Sequence, residues 1–383
     1  MASSQRASEN AKTHCFLVRC GARSANLFPY GEGAPLKSNC FALIAALALI
    51  GIVSPGYSED YTITDLGTLG GIYSYPTGIN AKGEVTGVLK AVSGVSYPFI
   101  YNGQTMLNLG TQTGANSYAA AINAGGEVTG TFLSSTGLQH AFLYNGTTII
   151  DLGILPGANE QIANSTGEAI NARGEVAGYA SDAIDGSPHA FLYNGKTMID
   201  LGTFGGTNSV GLGINDSGEV AGAALTTGNA SYHAFLYNGK SMVDLGGLAE
   251  GANSVGEAVN ARGEVTGYSV VEGQPDDAFL YNGKTMIDLG TLGTNSTGLA
   301  INDEGEVVGD STVAGGGSYA VLFVDGMVLD LNTLISPTDP LYGKVLLNQA
   351  TGINDGGQIV ADGCYTNGQC DAFLLTPTRG PPH

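Results

Sequence analysis

The sequence predicts an all-β fold: a seven-bladed β-propeller of four-stranded antiparallel blades, closed by pairing of its N- and C-terminal strands. Three observations predict it. First, Asn80, Asn123, Asn171, Asn215, Asn260, Asn302 and Asn354 each head a copy of Asn-x-x-Gly-Glu-Val-x-Gly or a close variant, at spacings of 43, 48, 44, 45, 42 and 52 residues. Second, each unit holds four short apolar segments, which is the content of a propeller blade. Third, the two ends are complementary fragments. Tyr61-Thr-Ile-Thr-Asp-Leu-Gly67 matches a fourth strand without its first three, and Asp371-Ala-Phe-Leu-Leu375 matches a third strand without its fourth. Joined, they complete one blade and remove the sheet edges that an open array would expose.

Within a unit the elements follow in order. The first strand, such as Val210 to Ile214, ends at the Asn turn, and the second, such as Glu219 to Gly222, follows it. Third and fourth strands lie in Ala190 to Gly202, AFLYNGKTMIDLG, which returns letter for letter at Ala278 to Gly290. Its Asn194-Gly195 pair is expected at the centre of a two-residue hairpin turn with φ > 0 at both positions. Both faces of this hairpin carry apolar side chains, as a blade packed between two neighbours requires.

Composition agrees and narrows the function classes. The chain has 383 residues, with 60 Gly and only 13% charged residues. That is a turn-rich β composition. Beyond residue 58 there are 9 basic and 32 acidic residues, a net of −23. Such a surface repels phosphate backbones, so no nucleic-acid partner is expected.

Phe41 to Val53 is a 13-residue apolar run preceded by Lys37. It is short for a membrane span and fits the hydrophobic region of a signal peptide. Residues 1–58 are therefore expected to be a disordered extension plus export signal, 59–377 the propeller and 378–383 a tail. The expected location is extracellular, or in the cell envelope including the periplasm, with no membrane span in the mature chain, which is expected to be monomeric. Cys364 and Cys370 are the cysteines left to an exported chain, and they are expected to form a disulfide across a turn.

His140, His189 and His233 each precede Ala-Phe. This triplet, the Asn-x-x-Gly-Glu-Val-x-Gly motif and Asp65-Leu-Gly-Thr-Leu-Gly-Gly71 resemble the HAF-repeat extracellular proteins of bacteria. The resemblance covers residues 61–375. Pro98, Asp277, Tyr319 and Asp371 depart from the His pattern, and Val321 replaces Phe in the sixth unit. The family implies export and carries no assigned activity.

No nucleophile elbow, zinc-binding helix or phosphate loop appears. The Glu of Gly-Glu-Val recurs in six units. Catalysis needs carboxylates in unlike environments, and repetition makes them alike, so these Glu residues are read as structural. The three His are read as hydrogen-bonding at strand entry and the Asn residues as holding turns. No cofactor is expected. Calcium at the Asp303 and Asp355 turns is the one alternative, and the Asp-x-Asp-x-Asp-Gly alternation is missing. On a regular ring, function is expected where units depart from the pattern. Three departures are candidate binding loops: Leu155 to Thr166 with Glu160 and Gln161, Ser181 to Pro188 with Asp182 and Asp185, and Ser336 to Ala350 with Tyr342 and Lys344. The expected function is a binding or scaffolding module for a glycan or protein ligand rather than an enzyme. The alternative is a propeller-fold hydrolase or lyase acting on extracellular polysaccharide, which paired, non-repeated carboxylates at one mouth of the channel would favour.

Overall fold

The structure is a computed structural model that describes residues 60–182, 184–271, 273–313 and 315–378. The expected export signal at 41–53 lies outside the described residues. Within the described residues the strands form four-stranded antiparallel groups at 73–108, 118–153, 165–202, 205–246, 253–288 and 296–330. These are blades 1 to 6. Blade 7 takes three strands from 345–377 and its fourth from Tyr61–Asp65. That strand runs antiparallel to Cys370–Pro377, with Tyr61 opposite Pro377 and Asp65 opposite Phe373. The pairing inferred from the two chain ends is therefore present. A single parallel bridge, Tyr73 to Cys370, joins blades 7 and 1.

The first strand of each blade contacts the first strand of the next, and blade 7 contacts blade 1, so the first strands surround the axis. The Asn residues tie this inner ring. Each donates from Nδ2 to the backbone carbonyl of the Asn in the following blade, from Asn80 to Asn123 and onward to Asn302, which reaches Asn354 at 3.5 Å. Asn354 donates to Asn80 and completes the circuit. Within each turn the same Nδ2 reaches the following Glu, or Gln358, and Oδ1 accepts two backbone N–H groups, as in Asn215. Thus the repeated Asn and Glu are consumed by the ring.

The core lies between blades. In blade 4, Val220 and Phe235 are fully buried and pack with Ala177, Ala190 and Leu192 of blade 3. The same arrangement joins blades 4 to 5 and 5 to 6. The second-strand Gly is required by close approach. A Cβ on Gly222 would lie 1.9 Å from the Val210 carbonyl oxygen and 2.8 Å from the Phe235 ring.

The hairpin turn differs from expectation. Tyr193 pairs with Met198, and Asn194 N–H donates to the Thr197 carbonyl, so Gly195 and Lys196 are the central residues. Gly195 has φ 87°, whereas Asn194 is not among the positive-φ residues. The Asn194 side chain accepts from Lys196 and Thr197 N–H instead. Those two bonds favour Asn beside the turn rather than within it. Only the loosest copy makes the expected turn: Asp325 and Gly326 have φ 52° and 73°.

Candidate functional site

Antiparallel connectivity gives the ring two unlike faces. One, the turn face, carries the Asn-x-x-Gly and Tyr-Asn-Gly turns. The other, the loop face, carries the loops from second to third strand and the links between blades. All three candidate binding loops fall on the loop face.

Repeated side chains at the loop-face edge are also structural. His140, His189 and His233 each place Nδ1 2.9–3.1 Å from the carboxylate of Asp151, Asp200 or Asp244 on the adjacent fourth strand. The Asp200 hydrogen bond raises the His189 pKa against the cost of burial. Burial opposes charge on Asp200 too, but the bonds from His189 and Gly202 N–H leave its pKa lowered. Just beyond, the Ala N–H freed by a strand irregularity is taken by a Ser of the next blade. Ala190 donates to Ser209 and Ala234 to Ser254, at 2.8 Å in both cases. Histidine and aspartate thus pin the third strand to the fourth within a blade, and serine ties one blade to the next.

The candidate residues do not form one site. Glu160 and Gln161 are exposed on the link 154–164, and Gln161 N–H donates to Asn159. Asn164 and Ser181 hydrogen-bond that link to the loop bearing Asp182 and Asp185. Asp182 is buried, and its Oδ1 accepts from the N–H groups of Ile184, Asp185 and Gly186, so it builds its loop. Asp185 is exposed and accepts from Ser187. Tyr342 and Lys344 are exposed on the link between blades 6 and 7, away from the blade 3 loops. That link also covers the outer edge of the closing strand. Tyr61 exchanges backbone bonds with Leu334 and Ser336, and Ile63 N–H donates to Asp339. Cys364 and Cys370 are joined by a disulfide across the blade 7 hairpin loop.

A different set departs from the repeat inside the ring. Strand pairing makes one second-strand position equivalent in every blade. It holds Val88, Thr131, Tyr179, Ala223 and Tyr268 in blades 1 to 5, then Asp310 and Asp362. Gln349 Nε2 donates to Asp310 Oδ1 at 2.9 Å, and Ser318 to Oδ2 at 2.7 Å. Tyr75 of blade 1 donates to Gln349 Oε1 at 2.6 Å, so the network spans blades 6, 7 and 1. Asp362 is poorly met. Its Oδ2 has one long contact, 3.4 Å from Asn348, and its Oδ1 is shut from solvent with no hydrogen-bond partner among the described residues. Burial pushes its pKa to about 6, with the Asp310 charge adding to the rise and Asn348 opposing it. Burial raises the Asp310 pKa too, against its bonds from Gln349 and Ser318. Asp276 of blade 5 is raised by burial and by Asp277 and Asp310. These acids were missed in the sequence because Gly-Glu-Val drew attention to the repeated carboxylate. The legible signal was four residues past that position, an Asp where the other blades carry Val, Thr, Tyr or Ala.

The turn face has a pocket of about 270 Å³ at the axis, lined by Ile79, Ala81, Asp216, Asp303, Asp355 and their neighbours. Its carboxylates are tied down: Asp216, Asp303 and Asp355 accept at 2.8 Å from the N–H groups of Ala172, Ala261 and Asp303 in the preceding blades. Among the described residues, no group of three or more His, Cys, Asp or Glu is arranged to hold a metal ion, and no helix is long and apolar enough to cross a membrane.

No family model matches the sequence, and no curated protein is similar to it. Solved structures do match its fold. A puromycin-hydrolyzing peptidase from Mycobacterium tuberculosis superposes with TM-score 0.53 at 13% identity, over 80% of this chain and 52% of the peptidase. This chain therefore spans about half the length of that enzyme. The β-propeller domain of the Trilobed protease from Pyrococcus furiosus, described as having an open velcro topology, superposes with TM-score 0.53 at 12% identity, over 80% of this chain and 97% of that domain. At such identities the likeness concerns the fold.

Proposed function

We propose that this protein is an exported propeller of the HAF-repeat type, acting at or outside the cell surface as a binding or scaffolding module that takes its ligand on the loop face. One observation carries the reading. The Asn, Glu, Ser and His–Asp groups of the repeat are spent on bonds within and between blades, whereas the irregular loops and the unrepeated buried acids lie toward the loop face. The apolar run at 41–53 and the disulfide support export. The test is a glycan and protein binding screen on the full chain, followed by mapping with substitutions on each face. A ligand whose binding falls with changes at 154–164 or 182–187 supports the reading. One that responds only to turn-face changes at 81–84 or 194–197 contradicts it.

Asp310 and Asp362 favour a second reading, a hydrolase or lyase acting on extracellular polysaccharide. They are neighbouring, unrepeated carboxylates in unlike environments, Asp310 met by Gln349 and Ser318 and Asp362 left with an unmet oxygen, as an acid–base pair requires. New reducing ends or unsaturated products from a polysaccharide panel, lost in Asp310→Asn, would establish it. Inertness toward the whole panel would remove it.

A further inference from the structure

We propose that Asp310 and Asp362 form an acidic throat toward the loop face, and that it receives a cationic side chain, an amine or guanidinium, carried by an apolar segment of a partner protein. This rests on the loop face being the ligand face, and adds what the ligand must be.

The throat lacks a cation of its own. Asp310 is met by the neutral donors Gln349 and Ser318, and Asp362 by Asn348 and its own backbone N–H. The buried Oδ1 of Asp362 has no donor among the described residues. A hidden carboxylate oxygen without a partner costs free energy that an incoming donor recovers, most strongly if the donor is charged. The protein's own bases lie elsewhere. Of the eight described Lys and Arg residues, six sit on turn-face turns: Lys82, Arg173, Lys196, Lys240, Arg262 and Lys284. Lys90 donates to Ser96, and Lys344 is exposed on its link.

The surroundings of the throat select a peptide over a sugar. Nine of the fourteen exposed large apolar side chains described lie on the loop face, and the other five lie in the middle of fourth strands. Five of the nine sit on the loops and strand ends of blades 6, 7 and 1, the blades that the acid network spans: Val92 is 75% exposed, Leu69 55%, Ile72 53%, Tyr342 48% and Leu346 41%. Apolar loops beside an acidic centre suit a segment with apolar side chains flanking one Lys or Arg. An anionic membrane surface would be repelled by the acids, and the donors do not make a metal set.

Protonation gives the interaction a signature. Of the groups on strands packed against Asp362, Asp310 acts on its charge, Tyr75 is engaged by Gln349, and Asp371 accepts from Gln369. With a pKa of about 6, the ionised fraction of Asp362 rises about tenfold between pH 5 and pH 7, and cation binding should tighten with it.

The experiment uses the full chain and fluorescent twelve-residue peptides with Leu and Phe flanking one central Arg, Lys or uncharged citrulline, with chitosan oligomers as the amino-sugar probe. Anisotropy should show the Arg or Lys peptide binding at least tenfold tighter than the citrulline peptide at pH 7, and about tenfold tighter at pH 7 than at pH 5. Asp362→Asn, with circular dichroism matching the parent, should abolish both differences. Asp310→Asn should weaken binding, Val92→Ser should weaken it without changing the pH trend, and Asp325→Asn on the turn face should leave it unchanged. Equal affinity for Arg and citrulline peptides, indifference to Asp362→Asn, or binding of chitosan without peptide would each overturn the inference. A screen ligand that maps to the loop face yet ignores Asp362→Asn overturns the inference and leaves the proposed function standing, whereas one that maps to the turn face overturns that function.

Discussion

The side-chain amide of Asn354 donates to the backbone carbonyl of Asn80, 274 residues earlier in the chain, at 3.0 Å. It is the last link in a circuit in which each blade's first turn is tied to the next by the residue that also shapes that turn. Local turn chemistry and ring assembly therefore depend on the same atoms.

Replacing one of these residues should cost far more than losing an ordinary turn. Asn215→Ala removes the inter-blade bond to Asn260, the bond to Glu219 and the acceptor for two backbone N–H groups. The expected loss is about 2–4 kcal/mol, since buried partners are left unpaired. Asn302→Ala should cost less, because its reach to Asn354 is already 3.5 Å. Denaturant unfolding checks both; equal losses would show that the inter-blade bond contributes little.

The His189–Asp200 pair should give stability a pH window. The His189 pKa lies above its ordinary 6.5, so its contribution is full below about pH 6.5 and is lost as pH rises through the raised value. The Asp200 pKa lies below its ordinary 3.8, so its contribution is present above that value and is lost as pH falls through the lowered one. Partial exposure limits the pair to about 0.5–1 kcal/mol. In His189→Gln the decline above pH 6.5 should flatten, which melting temperatures between pH 4 and 9 would show.

Blade 7 carries Asp371 where blades 2 to 4 carry His, facing Asp65 of the closing strand. Burial pushes the Asp371 pKa to about 6, and Asp65 adds to the rise. Tyr365 donates to Asp65 at 2.6 Å. Because the folded-state pKa is raised, stability is greatest below about pH 4 for this group and falls as pH rises through about 6. Asp371→His should restore the pairing seen at His140–Asp151 and raise the melting temperature at pH 7, and Asp371→Asn should remove the pH dependence without adding a cation. A pH profile unchanged in both variants would contradict the assignment.

Much of this architecture was legible because it repeats. Seven Asn turns and the split blade could be read from spacing, and the Cys364–Cys370 bridge from two cysteines left across a turn in a chain expected to be exported. What the sequence hid was partnership across blades. Ser209 looks like an ordinary strand residue until Ala190, from the preceding blade, donates to it. Asn194 looked like a turn centre because Asn-Gly favours one, but its side chain holds the turn from outside. The buried acids escaped notice for the opposite reason. Asp310 and Asp362 belong to no motif, and only strand register shows that they share a position otherwise held by Val, Thr, Tyr and Ala.

The disulfide should matter less than the ring. It closes a loop of six-residue separation, which corresponds to about 2 kcal/mol of chain entropy. Cys364→Ser with Cys370→Ser should lower stability by about that amount and leave a single cooperative transition. Loss of the folded state on reduction would show that closure depends on the bridge.

The most direct test of the division between structural and ligand-binding side chains is the melting temperature of Asp362→Asn at pH 7.5. A residue kept for a ligand stands at the expense of the empty fold. Removing an ionised carboxylate whose buried oxygen has no partner should therefore stabilise the ligand-free protein by about 1–3 kcal/mol, with the gain fading below pH 5 as the native Asp362 takes up its proton. A fall in melting temperature at pH 7.5, of the kind expected for Asn215→Ala, would mean that Asp362 holds the ring together and that the throat is not a binding site.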